Sequence, residues 1–217
     1  MADPIIEEYK RLPTAAVSDA IDRVGIHGVA LGIKPLSPTF KLCGRAFTLR
    51  YRPIGYIEKG TVGDYIDDVP AGDVVVLDNG GRLDATVWGD ILTLTARQRG
   101  VAGTVIDGVC RDVARALEVN YPMYSRSHTM RTGKDRVEVE DVNVPVGLND
   151  VQVRPGDLIV GDADGIVVIP WTRAEEVLKI ALEIESAEKA IEEEVLKGTS
   201  LREARVKFRY HSLQTKG

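Results

Sequence analysis

Between residues 73 and 107 the apolar pattern changes period twice, and that change constrains the fold more than any other stretch of the chain. Residues 73–77 are a short β-branched run, residues 89–99 place Ile91, Leu92, Leu94 and Thr95 to pack on a sheet from one helix, and residues 104–107 are β-branched again. Strand, loop, helix, strand is a βαβ unit, so the chain belongs to the α/β class. Further strands read at residues 46–51, 137–139, 158–160 and 165–169. After Pro13 a helix reads over residues 14–24, with Thr14 as N-cap, Gly25 as stop, and Ala15, Val17, Ala20, Ile21 and Val24 on one face. Ala71-Gly72-Asp73, Pro155-Gly156-Asp157 and Val160-Gly161-Asp162 read as turns that start strands, glycine supplying φ > 0 and aspartate closing the turn.

A long Glu/Lys-rich helix is expected over residues 172–197, with Val177, Ile180, Ala181, Ile184, Ala187, Ile191 and Val195 on one face and Gly198 as its stop. A short helix follows Ser200. Residues 1–170 thus read as the domain body and 171–217 as a helical extension. Its length suits a contact between subunits as well as a cover for the chain's own sheet.

With 217 residues, 44% of them hydrophobic, the chain can fill one core, and one globular unit is expected. The net charge of −5, with basic residues scattered among acidic ones, makes no field that would gather a polyanion, which argues against nucleic acid as a partner. Cys43 and Cys110 lack the paired spacing of a zinc site or disulfide framework and fit a reducing compartment. No basic flank precedes an apolar run and no membrane-length apolar stretch occurs, so a soluble cytoplasmic protein is expected, without a membrane partner.

Two carboxylates and an arginine stand at informative places in the βαβ unit. Asp90 begins its helix, and Arg111-Asp112 follow the second strand after Asp107-Gly108-Val109-Cys110, read as a turn. Loops at the carboxyl ends of parallel strands gather into one crevice, where these groups can meet. Asp90 and Asp112 would offer oxygen ligands to a hard cation such as Mg2+ or Mn2+. With only His27, His128 and His211 present, a His-rich zinc site is not indicated. The helix start Gly89-Asp90-Ile91-Leu92 offers backbone N–H groups and the positive end of a dipole to a carboxylate, and Arg111 adds a permanent cationic fork. Taken alone, Asp90 reads first as a helix cap and Arg111-Asp112 as a surface ion pair, ahead of any role in chemistry. His128 and Arg126, between polar neighbours, read as solvent-facing. Trp88 either walls the site or fills the core, and Glu192, Glu193 and Glu194 read as a solvated face. The turn Asp78-Asn79-Gly80-Gly81 reads as a strand exit, not as the nucleotide loop of a methyltransferase. None of the lysines falls in a segment assigned to the site.

The spacing Asp90, twenty residues, Arg111-Asp112 matches the Asp-x20-Arg-Asp signature of the RraA-like family, which includes the 4-hydroxy-4-methyl-2-oxoglutarate/4-carboxy-4-hydroxy-2-oxoadipate aldolases. The resemblance also covers Ser18-Asp19-Ala20, residues 71–78, Gly100-Val101-Ala102-Gly103 leading to Asp107-Gly108, residues 142–146, and residues 155–170, in family order. It implies a swivelling β/β/α domain assembled as homotrimers or homohexamers with active sites at subunit interfaces, and a class II pyruvate aldolase that cleaves a 4-hydroxy-2-oxo acid, with oxaloacetate decarboxylation as a companion or even the main activity. It further implies Asp112 as metal ligand, Arg111 as the arginine that binds substrate and stabilises the enolate, Gly89, Asp90, Ile91 and Leu92 as the cradle of the keto-acid carboxylate, and Asp90 as a holder of water on the metal. Some relatives instead bind and inhibit an endoribonuclease, so a non-catalytic regulator is the alternative. The chain departs from the fuller aldolase pattern at Arg115, where an acidic residue is common, and the departure bears on metal affinity and substrate choice.

Overall fold

The computed structural model describes residues 3–55, 60–208 and 210. Helices α1 (Pro4–Tyr9) and α2 (Thr14–Arg23) lead into short strands β1 (Val29–Ala30) and β2 (Lys34–Pro35), the long β3 (Leu42–Pro53), a 3-10 turn at Asp64–Asp68 and β4 (Val74–Asp78). Next come α3 (Asp90–Arg99), β5 (Gly103–Cys110), α4 (Val113–Glu118), β6 (Met123–His128) and β7 (Val137–Val142). The hairpins β8 (Val146–Leu148)/β9 (Val151–Val153) and β10 (Leu158–Asp162)/β11 (Gly165–Ile169) precede the terminal helices α5 (Ala174–Leu196) and α6 (Leu201–Lys207).

Strands β3, β4, β5 and β6 pair in parallel, so the expected βαβ unit is present as β4-α3-β5. Antiparallel β10, β11 and β1 extend the sheet beyond β3, β2 closes the far side on β6, and β7 pairs with β3. Side chains on successive strand residues face opposite ways, and that alternation divides the interior into three layers. Val75 and Leu77 join Phe47, Ile106 and Trp88 beneath α3 and α4. Val74 and Val76 face the other way, toward Leu148, Ile159 and Ile166. Strands β10 and β11 repeat the division, sending Leu158, Val160, Val167 and Ile169 outward against Val17 and Ile21 of α2 and Val177 and Ala181 of α5. The result is a single mixed α/β domain with helices outside two β layers. Among the described residues, no helix is long and apolar enough to cross a membrane.

Several local readings are corrected. Thr14 is not the N-cap of α2; Pro13 holds that position. The amide and hydroxyl of Thr14 donate to Asp162 (2.9 and 2.6 Å), so the cap comes from the β10–β11 turn. Ala15 is exposed while Ala16 is buried, because α2 is wedged between β11 and α5. On α3, Ile91 and Leu94 are 74% and 43% exposed, and Thr93 and Ala96 face inward. A hydrogen-bond chain sets that rotation: Trp88 Nε1 donates to Thr93 Oγ1 (2.9 Å), whose hydroxyl donates to Gly89 O (2.9 Å). Residues 107–110 are no turn but the end of β5, after a register shift between Ile106 and Val109. Gly72 (φ 87°) and Gly156 (φ 82°) do start strands, whereas Gly161 lies inside β10, where a Cβ would meet Ile166 Cδ1 at 2.6 Å. Helix α5 buries Ala174, Val177, Ala181, Ile184 and Ile191 but leaves Val195 exposed, and Gly198 (φ 96°) ends it.

Candidate active site

The chain leaving β4 returns along the end of β5 before it becomes a helix. Thr86 forms parallel bridges to Val109 and to Thr132, Val87 N donates to Val109 O (3.4 Å), and Arg111 N donates to Trp88 O (3.0 Å). These contacts seat Gly89, the N-cap of α3, against Arg111-Asp112. A Cβ on Gly89 would stand 2.9 Å from Asp112 Oδ2 and 3.1 Å from Arg111 Nε, so glycine permits the approach.

Asp112 caps α4 in the left-handed region (φ 55°, ψ 40°), which aspartate tolerates better than most residues and which recurs at functional sites. Its Oδ2 accepts from Asp90 N (3.1 Å) and lies 3.3 Å from Arg111 Nε. Asp90 Oδ1 accepts from Ile91 N (2.8 Å). The structure therefore brings Asp90, Arg111 and Asp112 together. Arg111 and Asp112 are about 40% exposed, in reach of solvent and ligand.

Gly89, Asp90, Ile91, Leu92 and Arg111 line a cavity of about 550 Å3, with Asp112 directly behind. Ile91 turns its side chain to solvent, and Leu92 packs on Gly63. Among the described residues, no group of three or more His, Cys, Asp or Glu could hold a metal ion. An all-protein cage is thus not indicated, but Mg2+ commonly takes one or two carboxylates and keeps water for its remaining positions, and the hard oxygens of Asp112 and Asp90 fit that chemistry.

Two segments of the cavity escaped the sequence reading: residues 60–64 and 132–135. The second brings Lys134, which corrects the expectation that no lysine reaches the site. Both arrive through long-range pairing, Val139 N donating to Thr61 O (3.0 Å) and Ile54 N to Arg136 O (3.0 Å), and no local periodicity marks them. Trp88 does both things proposed for it, stacking on Tyr121 (centroids 6.0 Å apart) in the core and bordering the cavity. Arg126 is absent from the lining; it pairs with buried Asp107 and donates to Asn149 (3.0 Å). His128 is exposed, Arg115 pairs with Glu118 (2.6 Å), Glu194 pairs with Lys207 (2.9 Å), and His211 lies outside the described residues.

Residues 14–168 match the model of the RraA-like family, described as Aldolase/RraA. The chain is 39% identical over 95% of its length to Protein DlpA of Legionella pneumophila, of which it spans only 34%. It is 34% identical to a protein of Halalkalibacterium halodurans provisionally named a 4-hydroxy-4-methyl-2-oxoglutarate aldolase, over 88% of this chain and 90% of that one. Among solved structures, an uncharacterized protein from Pseudomonas syringae pv. tomato superposes with a TM-score of 0.90 at 40% identity, covering 95% of each chain. Streptomyces coelicolor RraAS2, described as an unusual member of the RNase ES inhibitor RraA protein family, superposes with a TM-score of 0.80 at 28% identity, covering 87% of this chain and 96% of that one.

Proposed function

The chain belongs to the RraA-like family of aldolases and RraA proteins, and on that premise we propose that it is a divalent-metal-dependent class II aldolase that cleaves a 4-hydroxy-2-oxo acid to pyruvate and a carbonyl product. Oxaloacetate, which gives the same pyruvate enolate on losing CO2, is a second substrate in this reading. The observation that carries it is the convergence of Arg111 and the Asp112 carboxylate on the start of α3, with Arg111 and the helix start, though not Asp112, lining the cavity.

The substrate carboxylate rests against the N-terminus of α3, where the helix dipole favours negative charge and Gly89 presents no side chain. As the C3–C4 bond breaks, its electron pair stays on C3, C4 becomes a carbonyl as its hydroxyl loses a proton, and charge grows on the keto oxygen. The Arg111 guanidinium, held by the Trp88 carbonyl through its own backbone and by Asp112 through its side chain, faces that charge without having to reorient. Protonation at C3 gives pyruvate. Asp112, with Asp90 beside it, would hold Mg2+ or Mn2+, which when bound supplies Lewis-acid polarisation of the keto group. Lys134 is exposed and lacks the apolar burial that activates Schiff-base lysines.

The test is pyruvate release, coupled to lactate dehydrogenase, from 4-hydroxy-4-methyl-2-oxoglutarate and from oxaloacetate, with Mg2+ or with EDTA. Metal-dependent release that Asp112→Ala abolishes is expected. Absence of turnover of either substrate would favour the regulator alternative, the class in which RraAS2 is described.

We further propose a homotrimer or homohexamer in which residues 1–170 form the body and 171–217 an arm for subunit contact, in the cytoplasm. The support is the end of the family match at residue 168, the exposure of Ile91, Leu94, Leu196 and Val206, and two free, buried cysteines.

A further inference from the structure

The cavity beside Arg111 is larger and more apolar than a pyruvate unit requires. Its volume of about 550 Å3 falls in the range of roughly 300–1,000 Å3 that accommodates drug-sized ligands. The polar groups the cleavage needs, Gly89, Asp90 and Arg111, occupy one edge. Most of the remaining wall is hydrocarbon: Ile54 beyond β3, Val62, Leu92 of α3 and Val137 of β7, with Val87 and Trp88 behind.

That wall is held from several directions. The Leu92 methyls lie 3.0 and 3.2 Å from the place of a Cβ on Gly63, so residues 62–63 close directly on α3. The Val62 carbonyl accepts the hydroxyl of buried Tyr51 (2.6 Å), and the neighbouring Thr61 carbonyl accepts Val139 N (3.0 Å). The other charged residues on the described lining, Asp64, Lys134 and Asp135, are all exposed. Among the described residues, a carboxylate carried against Ile54, Val62, Leu92 and Val137 would exchange its water for hydrocarbon, which is costly, whereas each methylene buried there gains on the order of fourfold in binding.

We propose that the substrate's C4 substituent is apolar: an alkyl- or aryl-bearing 4-hydroxy-2-oxo acid that yields pyruvate and a hydrophobic aldehyde or ketone. The proposal rests on the aldolase reading above. The balance is that of any retro-aldol step, with the C3–C4 bond broken, the hydroxyl proton lost, one proton gained at C3, and no oxidant or reductant consumed.

The experiment compares kcat/KM for pyruvate release, with Mg2+, across 4-hydroxy-2-oxo acids bearing methyl, propyl, pentyl or phenyl at C4 and against 4-hydroxy-4-methyl-2-oxoglutarate. Deuterium exchange into the pyruvate methyl group, followed by NMR, reports enolate formation independently of any C4 group. Expected are exchange, a rise of about fourfold per methylene along the alkyl series, and a preference of at least tenfold for pentyl over the carboxylated substrate. Val62→Asp should cut the pentyl-to-methyl preference by about tenfold or more. Exchange with a preference for the carboxylated substrate, lost in Lys134→Ala, overturns the apolar substituent and leaves the aldolase reading intact. No exchange and no release from any substrate overturns both.

Discussion

Gly89 separates catalytic geometry from fold stability. Its backbone is extended (φ −145°, ψ −165°), a conformation open to any residue, so alanine there meets no backbone strain. The atoms an added Cβ would meet are the side-chain ends of Asp112 and Arg111, which can swing away. Gly89→Ala should therefore lower kcat/KM for pyruvate formation on the order of 10²-fold, because displacement by about an ångström is enough to do so. The melting temperature should stay within a few degrees of wild type; a large fall would show that Gly89 serves the fold. Asp112→Asn makes the converse point. Asparagine tolerates the left-handed conformation and can still accept Asp90 N–H, so the fold should persist while Mg2+ affinity, read by calorimetry, falls. The βαβ placement in sequence showed only that Asp90, Arg111 and Asp112 can meet; it was the resemblance carried by the Asp-x20-Arg-Asp spacing that singled them out. Lys134 was not legible, because the pairing of β7 with β3, some 86 residues apart at Arg52 and Glu138, delivers its loop.

At the level of elements, strands were legible where β-branched runs alternate faces, as in β4, and boundaries failed where a distant group decides them. The cap of α2 is the clearest case: its start is set by Asp162, 148 residues away. Asp162 itself feels burial, which pushes its carboxyl up, but the hydrogen bonds from Thr14 and Asp164 outweigh that and hold it below the usual value. Asp73, in the turn that starts β4, shows the opposite balance. Burial pushes its carboxyl up to about 6, and nearby Arg45 offsets this only in part. A raised folded pKa means that the stability tied to this group is full below the unfolded value of 3.8 and is lost as pH rises through about 6. Asp73→Asn removes the charge and should raise the melting temperature at pH 7.5, with no gain at pH 3.5. Because Asp73 is only half-buried, solvent screening keeps the gain small, on the order of 2–4 °C, about what 1 kcal/mol produces in a chain of this size. Equal gains at both pH values would show that the charge is not the cause.

For the whole molecule, symmetry restricts how the proposed assembly can be built. A closed trimer needs a heterologous interface, in which one patch of a subunit meets a different patch of the next, whereas a hexamer made of two trimers adds isologous contacts. Among the described residues, exposed apolar side chains include one group on and near α3 and another where α5 meets α6. Ile91 (74% exposed) and Leu94 face outward on α3, with Leu83 and Met130 (86%) on loops at the same strand ends; Leu196 (80%), Leu201 and Val206 surround the junction of α5 with α6. If these are the two halves of one heterologous interface, charge on either half opens the ring. Ile91→Lys/Leu94→Lys and Leu196→Lys/Val206→Lys should each give monomers by light scattering from a wild type of three or six chains. If instead the α5–α6 surface joins two trimers, only its variant should stop at a trimer and keep full pyruvate release. A monomeric wild type would remove the assembly altogether and leave the α3 face as an apolar rim of a site complete within one chain.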